Sequence, residues 1–205
     1  TARNYVKSMK ANGLLDDAET GELSTKLSKA INDIGDTEGW GLLRNPERLA
    51  QRNQAVLDDV GEKISTTLDL ASATGTKPVV DFTSSGSAVQ KLINNSKAEK
   101  KQVKEAFDEF LDGFTDPIDG WAGDIASLNQ WKSSIQNQAF SGSAKGSLSA
   151  PVQRRLQRAI ANDLKSAVDK GVVDSGVTTA DDWANTMALY GRHAEVAPIL
   201  NEGVA

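Results

Sequence analysis

The sequence predicts an all-α protein, an elongated antiparallel helical bundle with a three-helix core and short flanking helices. Three observations carry this. Leu49, Val56, Val60, Ile64, Leu68 and Ala71 recur mostly at steps of three, four or seven, which makes one apolar face of a long helix. Residues that start and stop helices bracket that stretch and several others along the chain. Only Pro78-Val79-Val80-Asp81-Phe82 reads as extended, and no other stretch offers it a partner strand.

Taken in order, residues 2–12 read as a short helix with Tyr5, Val6 and Met9 on one side and Gly13 as its stop. Residues 14–21 form an acidic connection. Residues 22–34 make a second helix, with Leu23, Leu27, Ile31 and Ile34 at helical spacing and Gly35 ending it. Residues 36–43 are Gly-rich around Trp40. Asn45-Pro46-Glu47-Arg48 then opens the long helix. Asn stands at the N-cap, Pro at the first helical position, and Glu in the first turn faces the positive end of the dipole. Gly75 ends it, which gives a helix of roughly 40 Å at 1.5 Å per residue.

A short helix over 85–94 carries Val89, Leu92 and Ile93. Ser96-Lys97-Ala98-Glu99 is a capping box opening a helix with Val103, Ala106, Phe107, Phe110 and Leu111 on one face, stopped by Gly113. Residues 113–126 form a loop that Trp121 and Ile125 plug onto the core. Ser127-Leu128-Asn129-Gln130 is a second capping box, for a helix carrying Leu128, Trp131, Ile135 and Ala139. Residues 141–149 are a linker-like Ser/Gly turn. Ser149-Ala150-Pro151 starts a helix with Val152, Leu156, Ile160, Leu164 and Val168, ended by Gly171. A last helix over 180–192 carries Trp183, Met187 and Tyr190, followed by a terminal piece that Pro198 interrupts. The helices at 127–140 and 150–170 pack beside that at 46–74 to make the core. This divides the chain into an N-terminal helical segment, 1–44, and a bundle domain, 45–205.

Composition narrows the function. The chain has 205 residues, enough for one domain or two small ones, with 39% apolar and 25% charged residues. Aromatics are only 5%, so the core is expected to be aliphatic and thin. A net charge of −5 argues against nucleic acid as the main partner. Zero Cys removes disulfides, thiolate metal sites and cysteine nucleophiles together. No apolar run approaches the ~18 residues needed to span a bilayer. Thr1 stands where an initiator Met would, so a processed chain or a piece of a longer one is expected.

Each candidate for chemistry has a plainer reading beside it. His193 is the only histidine, and its expected place near a helix end suits the negative end of the dipole without implying catalysis. Asp16-Asp17-Ala18-Glu19-Thr20-Gly21-Glu22-Leu23 resembles a calcium loop, but Ala18 and Leu27 stand where ligating oxygens are required. Over 104–124, seven carboxylates face one lysine; Glu105, Asp108, Glu109 and Asp112 share a solvated helix face, and Asp116 with Asp119 is the sharper cation candidate. Arg154, Arg155 and Arg158 cluster on the first turns of a helix, where a basic patch can sit on phosphates but has no aromatic interleaving for bases; the plainer reading is a solvated face, or one pairing with the acidic segment over 104–124. Trp131 and Trp183 fall in helical periodicity and read as core, whereas Trp40 and Trp121 lie in Gly-rich loops as loop plugs or partner anchors. Ser85-Gly86-Ser87 and Lys145-Gly146-Ser147 lack the spacing and order of a phosphate-binding loop and read as turns.

The order of motifs adds a resemblance. Asn45-Pro46-Glu47-Arg48 heads a long helix, and Val80-Asp81-Phe82-Thr83 enters a short one. Leu128 to Ile135 follows as Leu-x-x-Trp-Lys-x-x-Ile, and a Ser/Gly turn leads to Ser149-Ala150-Pro151-Val152. This order resembles helical regions of large bacteriophage virion proteins of the minor structural, internal or ejected kind, over roughly residues 42–205. The resemblance implies a fragment of a longer virion polypeptide that is structural or involved in delivery, and it brings no catalytic residue.

The expected function is therefore a non-enzymatic structural and interaction module of a phage virion, packing against other subunits through helical faces. Trp40, Trp121, Arg154, Arg155 and Arg158 are the candidate partner-binding residues. No catalytic residue, cofactor or metal is expected. Nucleic acid is the minor alternative partner, and a homo-oligomer is open. The alternative function is a bacterial helical adaptor, in the cytoplasm or secreted as an effector or adhesin domain. An enzyme using a divalent cation at the acidic segment is the reading from a different class.

Overall fold

In the computed structural model, residues 2–11, 20–39, 41, 44–95, 99–115, 123–137 and 148–202 are described. They form eight helices and, among them, no strand: α1 (Ala2–Ala11), α2 (Thr20–Glu38), α3 (Pro46–Ala73), α4 (Thr83–Asn95), α5 (Lys100–Thr115), α6 (Ile125–Asn137), α7 (Ala150–Asp174) and α8 (Ala180–Glu202). The protein is all-α. Residues 76–82, which include the segment read as extended, lie in neither helix nor strand and pair with no strand among the described residues.

The chain divides into two compact units, one of residues 1–66 and 180–205, the other of residues 67–179. In the first, α1 packs on α2 and α2 on α8. One apolar cluster joins Leu27, Ala30, Ile31 and Ile34 of α2, Leu49 and Ala50 of α3, and Val196, Ile199 and Leu200 of α8, with Tyr5 and Val56 packed against it. In this way α2, set apart by the sequence pattern in an N-terminal segment, shares its core with the C-terminal helix. In the second unit α6 packs on α7, and α4 packs on both α5 and α7. Leu128, Leu156, Ile160 and Leu164 are fully buried there. Phe82, Phe110, Phe114 and Trp131 make a connected aromatic group, with ring centroids 5.2–6.1 Å apart. Trp183, also expected in a core, is buried in the first unit.

The ends of α3 match expectation. Arg48 N–H donates to Asn45 Oδ1 at 3.0 Å, and Gly75 takes φ 76° as its N–H reaches the Ser72 carbonyl. Other boundaries differ. Gly35 and Gly113 do not stop their helices. α2 runs through Gly35 to Glu38, where Gly39 at φ 89° bonds back to the Gly35 carbonyl, and α5 runs through Gly113 to Thr115, bringing Phe114 into the aromatic group.

Gly171 also lies inside its helix. A methyl there would stand 3.0 Å from Pro78 Cβ and 3.2 Å from Ile125 Cγ1, so this glycine allows the extended segment and α6 to approach α7. The stop is Gly176, at φ 74°. The cap of α6 is Asp124 rather than Ser127, whose N–H and hydroxyl both donate to the Asp124 carboxylate. The terminal piece is not separate either. α8 continues through Pro198 to Glu202, with the proline ring on the exposed face, where a missing backbone bond disturbs no packing.

Candidate functional site

The polar centre of the first unit is built on His193. With α8 continuous, His193 lies seven residues after Thr186 and three before Val196, all on the buried stripe of the helix. The ring is wholly inaccessible to solvent, which corrects its expected place at a helix end. It meets Asn53, a buried polar residue on α3: His193 Nδ1 lies 2.8 Å from Asn53 Oδ1, and Asn53 Nδ2 donates to the His193 carbonyl at 3.2 Å. That second bond orients the amide so that its oxygen faces the ring. An amide oxygen only accepts, so Nδ1 carries the proton of the neutral imidazole.

Nε2 is then a lone-pair nitrogen. It is buried and makes no hydrogen bond, and Asp33 Oδ2 of α2 lies 3.5 Å away. The same Asp33 oxygen accepts from Arg192 Nε at 3.0 Å and from an Arg192 terminal nitrogen at 2.6 Å. Lys26 of α2 pairs with Glu195 of α8 at 2.5 Å on the same helix pair. Burial is the main cause that holds the His193 pKa below its usual 6.5; the Asp33 carboxylate opposes this and Arg192 adds to it.

In the second unit the buried carboxylate is Asp163. Its Oδ2 accepts the backbone N–H of Ser85 at 2.7 Å and the Ser85 hydroxyl at 2.5 Å. Lys132 of α6 is nearly buried and donates to Asn129 Oδ1 at 2.7 Å. Burial pushes its pKa down, partly opposed by Asp169.

Of the residues singled out from the sequence, Arg154, Arg155 and Arg158 lie exposed on the first turns of α7. The N-terminus of α7 is itself occupied by Glu99, which accepts from the Ser149 backbone at 2.7 Å and from its hydroxyl at 3.1 Å. Trp40 and Trp121 fall outside the described residues, as do Gly13, Asp116, Asp119, the first three residues of the Ser96 capping box, Ala139 and the turn over 141–147. So do residues 16–19 of the calcium-like loop, whose Gly21 is helical in α2. Glu105, Asp108, Glu109 and Asp112 are exposed on α5. No group of three or more His, Asp or Glu among the described residues is placed to hold a metal ion. Among those residues no helix is long and apolar enough to cross a membrane.

A shallow groove of about 360 Å³ in the first unit is lined by Glu47, Ala50, Gln51, Gln54 and Asn201. Its polar side chains are neutral apart from Glu47, and Gln54 is taken up by Asp58 at 2.8 Å. The sequence signal for the His193 centre was the phase of His193 with Trp183 and Thr186. Ending the last helix at Arg192 cuts that stripe short before Val196, Ile199 and Leu200 can extend it.

Comparison with known proteins gives no matching family model, no matching curated protein and no matching solved structure.

Proposed function

We propose that this chain is a non-catalytic structural and interaction module of a bacteriophage particle, binding other virion protein subunits through its helical surfaces. The observation that carries the reading is the way the extended segment of the second unit is held. Pro78 is buried against Gly171 of α7, and its neighbour Val79 is left 81% exposed. Leu70 of α3 and Val177 after α7 are further large apolar side chains exposed in the same unit. An apolar side chain held outward by an anchored backbone loses little conformational freedom when a protein partner covers it. The interhelical polar contacts support the same reading, because the buried Asp163, Asn53 and His193 and the partly exposed Asp33 link helix to helix. The phage setting rests on the order of helical motifs between residues 42 and 205.

The test is mass spectrometry of purified particles. Peptides of this chain at a low fixed copy number beside capsid and tail proteins support the reading, and absence from particles overturns it. A Val79→Ser, Leu70→Ser double variant separates surface from scaffold. It is expected to keep its melting temperature and to lose incorporation.

A further inference from the structure

We propose that His193 is an acid-operated latch: its neutral ring ties α8 to α3 through Asn53, and a proton on Nε2 loosens the α2–α3–α8 core by placing a positive charge on a ring sealed from water and next to Arg192.

The geometry is specific about what a proton would meet. Nδ1 is already protonated and committed to Asn53 Oδ1 at 2.8 Å, so Nε2 is the only site left. There the new N–H would face Asp33 Oδ2, 3.5 Å away. That oxygen is already engaged by both Arg192 nitrogens, at 3.0 and 2.6 Å. Asp33 would attract the new charge, but its carboxylate is shared with Arg192, and the charge would sit on a ring with no access to water. The arrangement is relieved when α2 and α8 separate enough to hydrate the imidazolium.

The surrounding charges are few. From α2 the facing group is Asp33, with Lys26 further along paired to Glu195. From α3 it is the neutral Asn53, flanked by the exposed Arg52. From α8 itself they are Arg192 and Glu195. From α1, Tyr5 packs against the same core, and burial raises its pKa above 10.0, far from the acid range.

The sign follows from linkage. A histidine whose folded pKa lies below its unfolded value near 6.5 takes up its proton more readily in the unfolded chain. Stability is therefore full above 6.5 and falls as pH drops below it, down to the folded pKa. Each unit by which the folded pKa is depressed corresponds to about tenfold in the unfolding equilibrium at acid pH.

As the only histidine, His193 gives an unambiguous NMR signal in the full chain. Its ring resonances are titrated from pH 8 to pH 4, with hydrogen exchange of α2 and α8 amides followed over the same range. The expected result is the Nδ1–H tautomer at neutral pH, a midpoint below 6.5, and faster exchange in α2 and α8 once the ring is protonated. An Nε2–H tautomer, a midpoint at or above 6.5, or exchange in those helices that does not follow the midpoint overturns the proposal. Two variants test the cluster without touching the ring. Arg192→Gln is expected to raise the midpoint and Asp33→Asn to lower it. Shifts of the opposite sign, or none, overturn the role given to the shared carboxylate.

Discussion

Asp163 of α7 holds Ser85 of α4 through two bonds to one carboxylate oxygen, 2.7 Å from the backbone nitrogen and 2.5 Å from the hydroxyl. The helix that receives the cap and the helix that supplies it are 78 residues apart. The cap is therefore a tertiary contact as well as a helix start, and α4 and α7 pack together around it. The same device recurs in this unit. Ser72 of α3 accepts the Ala126 N–H at 2.9 Å in the first turn of α6, and Glu99 accepts from Ser149 ahead of α7. Free N–H groups at helix starts need acceptors, and acceptors borrowed from other segments satisfy them while fixing how the helices pack.

Replacing Asp163 with Ala should strand two buried donors of Ser85. The expected loss is about 2–3 kcal/mol of unfolding free energy, because the bonds go to a charged group and no water takes its place. Ser85→Ala removes the hydroxyl but keeps the N–H bond, so about 1 kcal/mol is expected. Urea denaturation of the two single variants and the double variant checks this. Losses that simply add would show that the two residues do not act through each other.

Two helical glycines should respond to alanine with opposite signs. At Gly171 the new methyl would stand 3.0 Å from Pro78 Cβ and 3.2 Å from Ile125 Cγ1, neither of which is the free end of a flexible chain. The helix gains about 1 kcal/mol of propensity, but the clash forces the extended segment or α6 outward. A net loss of about 1–2 kcal/mol is expected. At Gly61 the nearest atom to a new methyl is Tyr190 Cε2, at an ordinary contact distance of 3.6 Å. There the propensity gain stands, and a stabilisation of about 0.5–1 kcal/mol is expected. Thermal melts of the two variants read the difference directly.

These glycines also show how far the sequence is legible. The helical class and the register of α3 follow from its apolar spacing and from Asn45, Pro46 and Gly75, all of which act within a turn or two of themselves. Gly35, Gly113 and Gly171 look like stops by the same local logic, yet each is helical. For Gly171 the reason is Pro78, 93 positions away in sequence, which no local pattern contains. His193 is the same case for the candidate site. Its burial depends on α8 running past Arg192, and its partners Asn53 and Asp33 come from 140 and 160 positions earlier, at distances along the chain that spacing rules do not reach. The exposure of Arg154, Arg155 and Arg158, by contrast, was legible because a polar helix face is a local property.

Asp81 should lose its contribution to stability in a window at low pH. Its Oδ1 accepts the Thr83 N–H at 2.9 Å and the Thr83 hydroxyl at 2.5 Å at the start of α4. These bonds hold its pKa below 3.8. A carboxylate with a depressed folded pKa contributes stability that is present above its unfolded pKa and lost as pH falls through the folded value. Below pH 3.8, Asp81→Asn should therefore lose less stability with falling pH than the parent chain. At pH 7 it should be the less stable of the two. Parallel slopes for the two proteins below pH 4 would remove Asp81 as a capping carboxylate.

Lys132 should be a liability that can be removed. Its side chain is nearly buried on α6, with Asn129 as the acceptor for its ammonium, and burial lowers its pKa from 10.5. The folded chain then binds fewer protons than the unfolded chain between the folded pKa and 10.5. Stability rises with pH across that window, and the cost of the buried charge is borne in full below it. Methionine has a similar length and needs no acceptor. Asp169, the carboxylate that partly offsets the burial of Lys132, keeps its ion pair with Lys165 when Lys132 is gone. Lys132→Met is therefore expected to gain on the order of 1 kcal/mol at pH 7 and to flatten the alkaline rise. Urea denaturation at pH 7 and pH 10 distinguishes the possibilities. A variant less stable than the parent at pH 7 would mean that the bond to Asn129 and the field of Asp169 outweigh desolvation, and that the ammonium helps hold α6 on α7.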